Sequence, residues 1–173
     1  MSEAKLKIHT WPEKILRKRC RNVQIIDDRI RDYLREMVAL MRVSDGIGLA
    51  ANQAGLDLRM IVVEVREKVL QLVNPEIVRR QGSMVFREGC LSFPGLELDI
   101  RRSNSVSVKA LDQDGNPIEI TAEEVLAVVL QHEIDHIEGK PFIERASLWQ
   151  RLKAMPKLRA IAKKTKNQLK RQR

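Results

Sequence analysis

The stretch Val125 to His136 constrains the fold more than any other part of the chain. Val125 to Leu130 is the longest unbroken apolar run in the sequence, and Gln131-His132-Glu133-Ile134-Asp135-His136 follows directly. As a helix the segment is apolar nearly all round before His132, so the rest of the chain must cover it. Positions i and i+4 share a helix face, which puts His132 and His136 in line with Val125, Val128 and Val129. Burying two imidazoles and the carboxylate of Glu133 without a metal or several partners costs on the order of several kcal/mol. The two histidines are therefore candidate ligands of one cation, with Glu133 beside them as a candidate general base.

The HExxH pattern leaves the third ligand open. Glu138 and Glu144 are candidates downstream, as in gluzincin peptidases, and Cys90 is a candidate upstream, in the Gly-flanked turn Glu88-Gly89-Cys90-Leu91-Ser92. No His-x-x-Gly-x-x-His extension is present, which excludes a metzincin. His9, the remaining histidine, has polar neighbours and no companion ligand, and reads as a surface residue.

Elements around this helix follow from periodicity. An extended arm leads into a short helical turn around Glu13 to Arg19. From Asp27-Asp28 onward, Ile30, Leu34, Met37 and Met41 recur at helical spacing, which predicts an amphipathic helix capped by aspartate and stopped at Gly46. Gly46-Ile47-Gly48-Leu49-Ala50-Ala51-Asn52-Gln53 follows, a run of small residues that admits close backbone approach. Its glycines come after a helix and lack the third member of a dinucleotide fingerprint, which excludes that class. Strands are predicted at Met60 to Val65, Val69 to Val73 and Met84 to Arg87. Three more are predicted around Leu96 to Ile100, Val106 to Ala110 and Ile118 to Ile120, the last two joined by a turn at Asp112 to Pro117. Thr121-Ala122-Glu123-Glu124 reads as a capping box for the histidine helix. The fold class is α+β: antiparallel β-sheets around a central buried helix carrying the HExxH motif, with an N-terminal amphipathic helix and a basic C-terminal helix that kinks or restarts at Pro156.

Charge separates the tail from the body. Residues 151–173 hold ten Lys/Arg and no acid, which leaves 22 basic against 23 acidic residues in 1–150 and places the whole excess of the +9 net charge in the tail. Such a segment suits either an acidic partner such as RNA or a solvated helix face. No stretch approaches the roughly 20 apolar residues that cross a bilayer, and Met1 to Lys5 has no signal-peptide core, so a cytoplasmic protein is expected. The two cysteines, Cys20 and Cys90, suggest no disulfide framework.

Taken in order, Gly-Ile-Gly-Leu-Ala-Ala-Asn-Gln, Glu-Gly-Cys-Leu-Ser and Gln-His-Glu-Ile-Asp-His resemble the three signature motifs of the peptide deformylases. The resemblance spans most of residues 10–146 and includes Phe93-Pro94, Arg102, Gly139 and Phe142. Departures at Arg19 to Val23 and at Ala54 lie outside the signature positions. The resemblance implies a catalytic metallohydrolase domain over 1–150 and a helical extension over 151–173. It further implies removal of the formyl group from the formyl-methionine terminus of nascent polypeptides. Cys90, His132 and His136 then match the ligands of one divalent ion, Fe(II) in this family, with zinc, nickel or cobalt as substitutes. Glu133 matches the general base; the Gln53 amide and the Leu91 N–H match the oxyanion donors. Ile47, Gly48 and Gly89 correspond to the backbone rail for substrate, and Leu91, Val128 and Val129 are candidates for a methionine pocket. A Glu88–Arg102 ion pair and ribosome docking of the basic tail are also implied.

Overall fold

The computed structural model describes residues 6–171, so the Met1 to Lys5 segment and the last two residues of the tail lie outside the described residues. A 3-10 turn, Lys14–Arg17, precedes helix α1, Asp28–Val43. Seven strands then follow: β1 (Gly48–Ala50), β2 (Met60–Val65), β3 (Lys68–Gln81), β4 (Met84–Gly89), β5 (Glu97–Arg102), β6 (Ser105–Leu111) and β7 (Pro117–Glu123). Helix α2 (Glu124–Ile137), a 3-10 turn (Phe142–Arg145) and helix α3 (Leu148–Arg171) complete the described chain. This is an α+β fold with two antiparallel sheets, one of five strands in the order β1-β2-β3-β6-β7 and one of β4 with β5.

Strand β2 explains how the two main helices are placed. Its run Met60-Ile61-Val62-Val63 is fully buried on both faces, a continuous apolar strand rather than an alternating one. Met60 and Val62 pack with Leu34, Met37 and Met41 of α1. Ile61 and Val63 pack on the other face with Ala127, Leu130, Ile134 and Ile137 of α2. Every residue from Ala127 to Ile137 is buried. Truncating a side chain such as Leu130 to alanine there costs about 2–5 kcal/mol. A third cluster joins Phe93, Leu98, Ile100 and Phe142 to Ala154, Leu158 and Ile161 of α3. Only the face of the basic helix that carries Ala154, Leu158 and Ile161 is thereby buried against the body, while Leu148, Leu152, Met155 and Leu169 are exposed. Thr165 meets Thr10 of the N-terminal arm through their hydroxyls at 2.7 Å. No helix among the described residues is long and apolar enough to cross a membrane.

Several local expectations need correction. Asp27 does cap α1, accepting from Ile30 N–H at 3.0 Å, but the left-handed residue that ends the helix is Asp45 (φ 55), not Gly46. Asp45 N–H reaches the Arg42 carbonyl and Gly46 N–H the Met41 carbonyl, which satisfies the last turn. Gly46 is small for another reason: a Cβ there would sit 2.8 Å from Leu91 Cδ1. Strand β3 does not stop at Asn74-Pro75. A register shift between Val73 and Glu76 absorbs the pair, with Asn74 at φ 51 and its side chain bonded to both backbone groups of Val23. The capping box does not form. Thr121 lies in β7 opposite Ser107, and Glu123 takes the N-cap position without a side-chain bond. Cross-strand pairing outcompetes the cap, and the strand turns into α2 through Glu124 at φ 51, whose N–H bonds the Asn104 carbonyl. Helix α3 is one element with Pro156 inside it, with no restart. Strand β1, only three residues long, carries too little alternation to be predicted.

Candidate metal centre

The end of β4, the turn after it and the middle of α2 converge beside β1. Cys90 follows Gly89 directly, and the Phe93 N–H bond to the Cys90 carbonyl (2.9 Å) closes the turn that presents its sulfur. Cys90 Sγ lies 3.2 Å from His136 Nε2. One ligand atom from each of Cys90, His132 and His136 falls within 4.8 Å of the others. Glu138 is instead paired with Arg59 and Arg19, and Glu144 is not among the residues that converge on this point.

The candidate ligands are held from behind. His132 Nδ1 bonds Glu88 Oε2 at 2.7 Å, leaving Nε2 for the centre. Glu88 receives Arg102 through Nε (2.7 Å) and Nη2 (3.0 Å), so the ion pair expected from the resemblance is present. Arg102 also reaches Asp135, which in turn accepts Arg145 at 2.6 and 3.0 Å. Asn52 donates to the His136 carbonyl at 2.6 Å, and the His132 ring lies against Phe142 with centroids 5.6 Å apart. Asp135, Arg145, Asn52 and Ser92 were not singled out by sequence. A polar residue on an otherwise apolar helix was the available signal for Asp135.

The electrostatics are those of a buried site. Burial disfavours charge on both histidines. His132 nevertheless has its pKa held well above the ordinary value, because its bonds with Cys90 and Glu88 outweigh that cost. Burial and the neighbouring His132 push His136 well below. Burial would raise Glu88, yet its bonds to His132 and Arg102 hold it low. Glu133, 4% exposed, is pushed up to about 7 by burial, which places it in the range where a carboxylate both takes and returns a proton near neutrality. Gln53 has its orientation set: Oε1 accepts from Ala50 N–H at 2.8 Å, so the NH2 group points at Ser92 Oγ (3.1 Å) and Cys90 Sγ (3.4 Å).

A cavity of about 420 Å3 opens on this centre. Its lining includes Ile47, Gly48, Gln53, Gly89, Cys90, Leu91, Val128, Val129, His132 and Glu133. Of the residues that the resemblance assigns to metal, catalysis and substrate, only His136 is missing from the wall, being fully buried beneath it. His9 lies apart, bonded to Glu13 at 2.6 Å and only 20% exposed at its side chain, so it is less of a surface residue than expected.

A family model described as polypeptide deformylase matches residues 5–152. The chain belongs to the peptide deformylase family. A peptide deformylase of Aquifex aeolicus is 39% identical over 162 residues, covering 90% of this chain and 96% of that protein. One from Thermoanaerobacter pseudethanolicus is 45% identical over 134 residues, 78% of this chain and 84% of its own. Among solved structures, the Legionella pneumophila peptide deformylase superposes with a TM-score of 0.85 at 41% identity, covering 91% of this chain and 95% of that one. The Synechococcus elongatus peptide deformylase, solved in complex with actinonin, gives 0.83 at 36% identity over 95% and 88%. As a deformylase the chain is a metal-dependent hydrolase that removes the N-formyl group from the formyl-methionine terminus of newly made polypeptides and releases formate. The donor set fits a metal: one thiol and two imidazoles converge, and His132 carries the carboxylate partner that metal-bound histidines use to fix their tautomer.

Proposed function

We propose that Cys90, His132 and His136 hold one divalent ion in deformylase catalysis, ferrous iron in the cell, with zinc, nickel or cobalt able to replace it. The observation that carries this is the convergence of those ligand atoms within 4.8 Å in a cavity that also exposes Glu133 and Gln53. When bound, the ion supplies Lewis acidity, making water nucleophilic near neutral pH and polarising the formyl oxygen.

The remaining work falls to the protein. Glu133 takes a proton from the attacking water as its oxygen bonds to the formyl carbon. The oxyanion that develops is met by the Gln53 amide, preset by Ala50 N–H, and by the Leu91 backbone N–H. Losing one such donor costs about 3 kcal/mol of transition-state stabilisation. Glu133 then returns its proton to the amine nitrogen as the C–N bond breaks, leaving formate and a free amino terminus. Ile47, Gly48 and Gly89, at the ends of β1 and β4, supply backbone partners for an extended substrate, which binds many sequences alike. Leu91, Val128 and Val129 receive the methionine side chain. The helix carrying the motif is the centre of this domain, residues 1–150, to which 151–173 is an extension.

Incubation of metal-loaded protein with formyl-Met-Ala-Ser should release formate, and Glu133→Ala should release none. Wild-type activity in Glu133→Ala would remove Glu133 from its role. We further place the protein in the cytoplasm, with the basic face of α3 docking on ribosomal RNA. Lys163→Gln/Lys166→Gln/Lys170→Gln should abolish ribosome co-sedimentation at low salt while sparing hydrolysis. Equal co-sedimentation would rule that face out.

A further inference from the structure

A second cavity, of about 330 Å3, opens where the turn after β3 meets the end of β5. Its size lies within the roughly 300–1,000 Å3 of small-ligand sites. The two turns abut: a Cβ on Gly82 would lie 3.1 Å from Cβ of Asn104. Four arginines line the cavity, Arg80, Arg101, Arg102 and Arg145, and Asp135 is the only carboxylate in its wall. Asp135 is already engaged by Arg102 and by both arms of the Arg145 fork, while Glu88 takes the rest of Arg102. Arg80 and Arg101 have no ion-pair partner among the described residues; the recorded bond of Arg101 is to Ser83 Oγ at 3.3 Å.

Guanidinium groups gathered around one concavity repel one another unless an anion sits between them, and the excess over Asp135 calls for more than one negative charge. The guanidinium fork matches the oxygens of phosphate, and the hydroxyls of Ser83 and Ser103 add neutral donors at the same mouth. We propose that this cavity binds a phosphate group, gripped by Arg80 and Arg101 with Ser83 and Ser103, over a floor built from Arg145, Asp135 and Arg102. The group is carried either by a free phosphate or by an RNA backbone. This site is separate from the hydrolytic one: none of the four gripping residues lines the cavity at the metal centre.

The test uses the full-length, metal-loaded enzyme and an Arg80→Gln/Arg101→Gln variant, with hydrolysis of formyl-Met-Ala-Ser at the wild-type rate as proof of folding. Inorganic phosphate is titrated by calorimetry, and a short labelled single-stranded RNA by fluorescence anisotropy, both at low salt. Loss of two charge-assisted contacts is expected to weaken phosphate binding about tenfold or more. Weakening of phosphate alone identifies a free-phosphate site, and weakening of the RNA identifies a backbone site. Unchanged affinity for both ligands overturns the proposal. If the double variant fails the folding control, Arg80→Gln alone, at an exposed position, carries the same comparison with the same outcomes.

Discussion

Gly48→Ala isolates the position of the base from its chemistry. Gly48 has an ordinary backbone conformation, so alanine adds no dihedral strain. The added Cβ, however, would press on Glu133 Oε1 and would lie 2.8 Å from Val129 Cγ1 and 2.9 Å from Glu133 Cδ. Contacts this short force something to move. The helix backbone behind Val129 is packed on the sheet, so the carboxylate is the group that yields. Overpacking of this kind costs about 1–3 kcal/mol, and at roughly 2–4 °C per kcal/mol for a chain this size the Tm should fall by about 2–12 °C. Displacing the base by about 1 Å costs on the order of a hundredfold in rate. Formate release should therefore show kcat falling by about two decades with metal content unchanged. A variant with wild-type Tm and kcat within about threefold of wild type would refute the placement of Glu133 against β1. Gly89→Ala is the control for packing: its nearest neighbour is Glu97 Cγ at 3.9 Å, so its Tm should stay at the wild-type value.

Other outcomes follow from the same geometry. The folded state raises Glu133 from 4.5 to about 7, so its stabilising contribution is complete below about pH 4.5 and lost as pH climbs through about 7. Metal-free Glu133→Gln should thus match wild type at low pH and exceed it above neutrality by up to about 3 kcal/mol in urea unfolding, while releasing no formate. Equal stability at both pH values would contradict a buried, proton-retaining base. Cys90→Ser should lose bound metal by atomic absorption and Glu144→Ala should retain it; the reverse result would return the third ligand to Glu144. Arg102→Met leaves Glu88 and Asp135 buried beside an apolar side chain and should destabilise by about 3–5 kcal/mol, a loss partly recovered in Glu88→Gln/Arg102→Met. Deleting residues 157–173 removes Leu158 and Ile161 from their cluster, so Tm should fall in circular-dichroism melting; an unchanged Tm would mean that the helix adds nothing to the core.

What could be read from sequence divides by physical range. The apolar surround of α2, the stripe of α1 and the run at β2 report burial directly, and burial is what sets these elements in place. Thr121 misled because a local side-chain cap competes with a strand pairing to Ser107, and nothing in four residues reveals which wins. The strand end expected at Val73 misled in the same way, since a bulge at Asn74 anchored on Val23 needs a partner distant in sequence. The residues proposed to carry the chemistry stand in the three motifs, and they gather around one cavity. The groups that hold them were less so. The reach of Asn52 to the His136 carbonyl, and the chain from Arg145 through Asp135 to Arg102, join elements far apart in sequence and become visible only in three dimensions.

The docking of α3 has a mechanical side. Phe142, which backs the ring of His132, belongs to the cluster that Leu158 and Ile161 complete, and Thr165 ties that helix to the N-terminal arm at Thr10. Loosening α3 would therefore soften the wall behind His132, so the basic helix braces the reaction centre from a distance as well as presenting a charged surface.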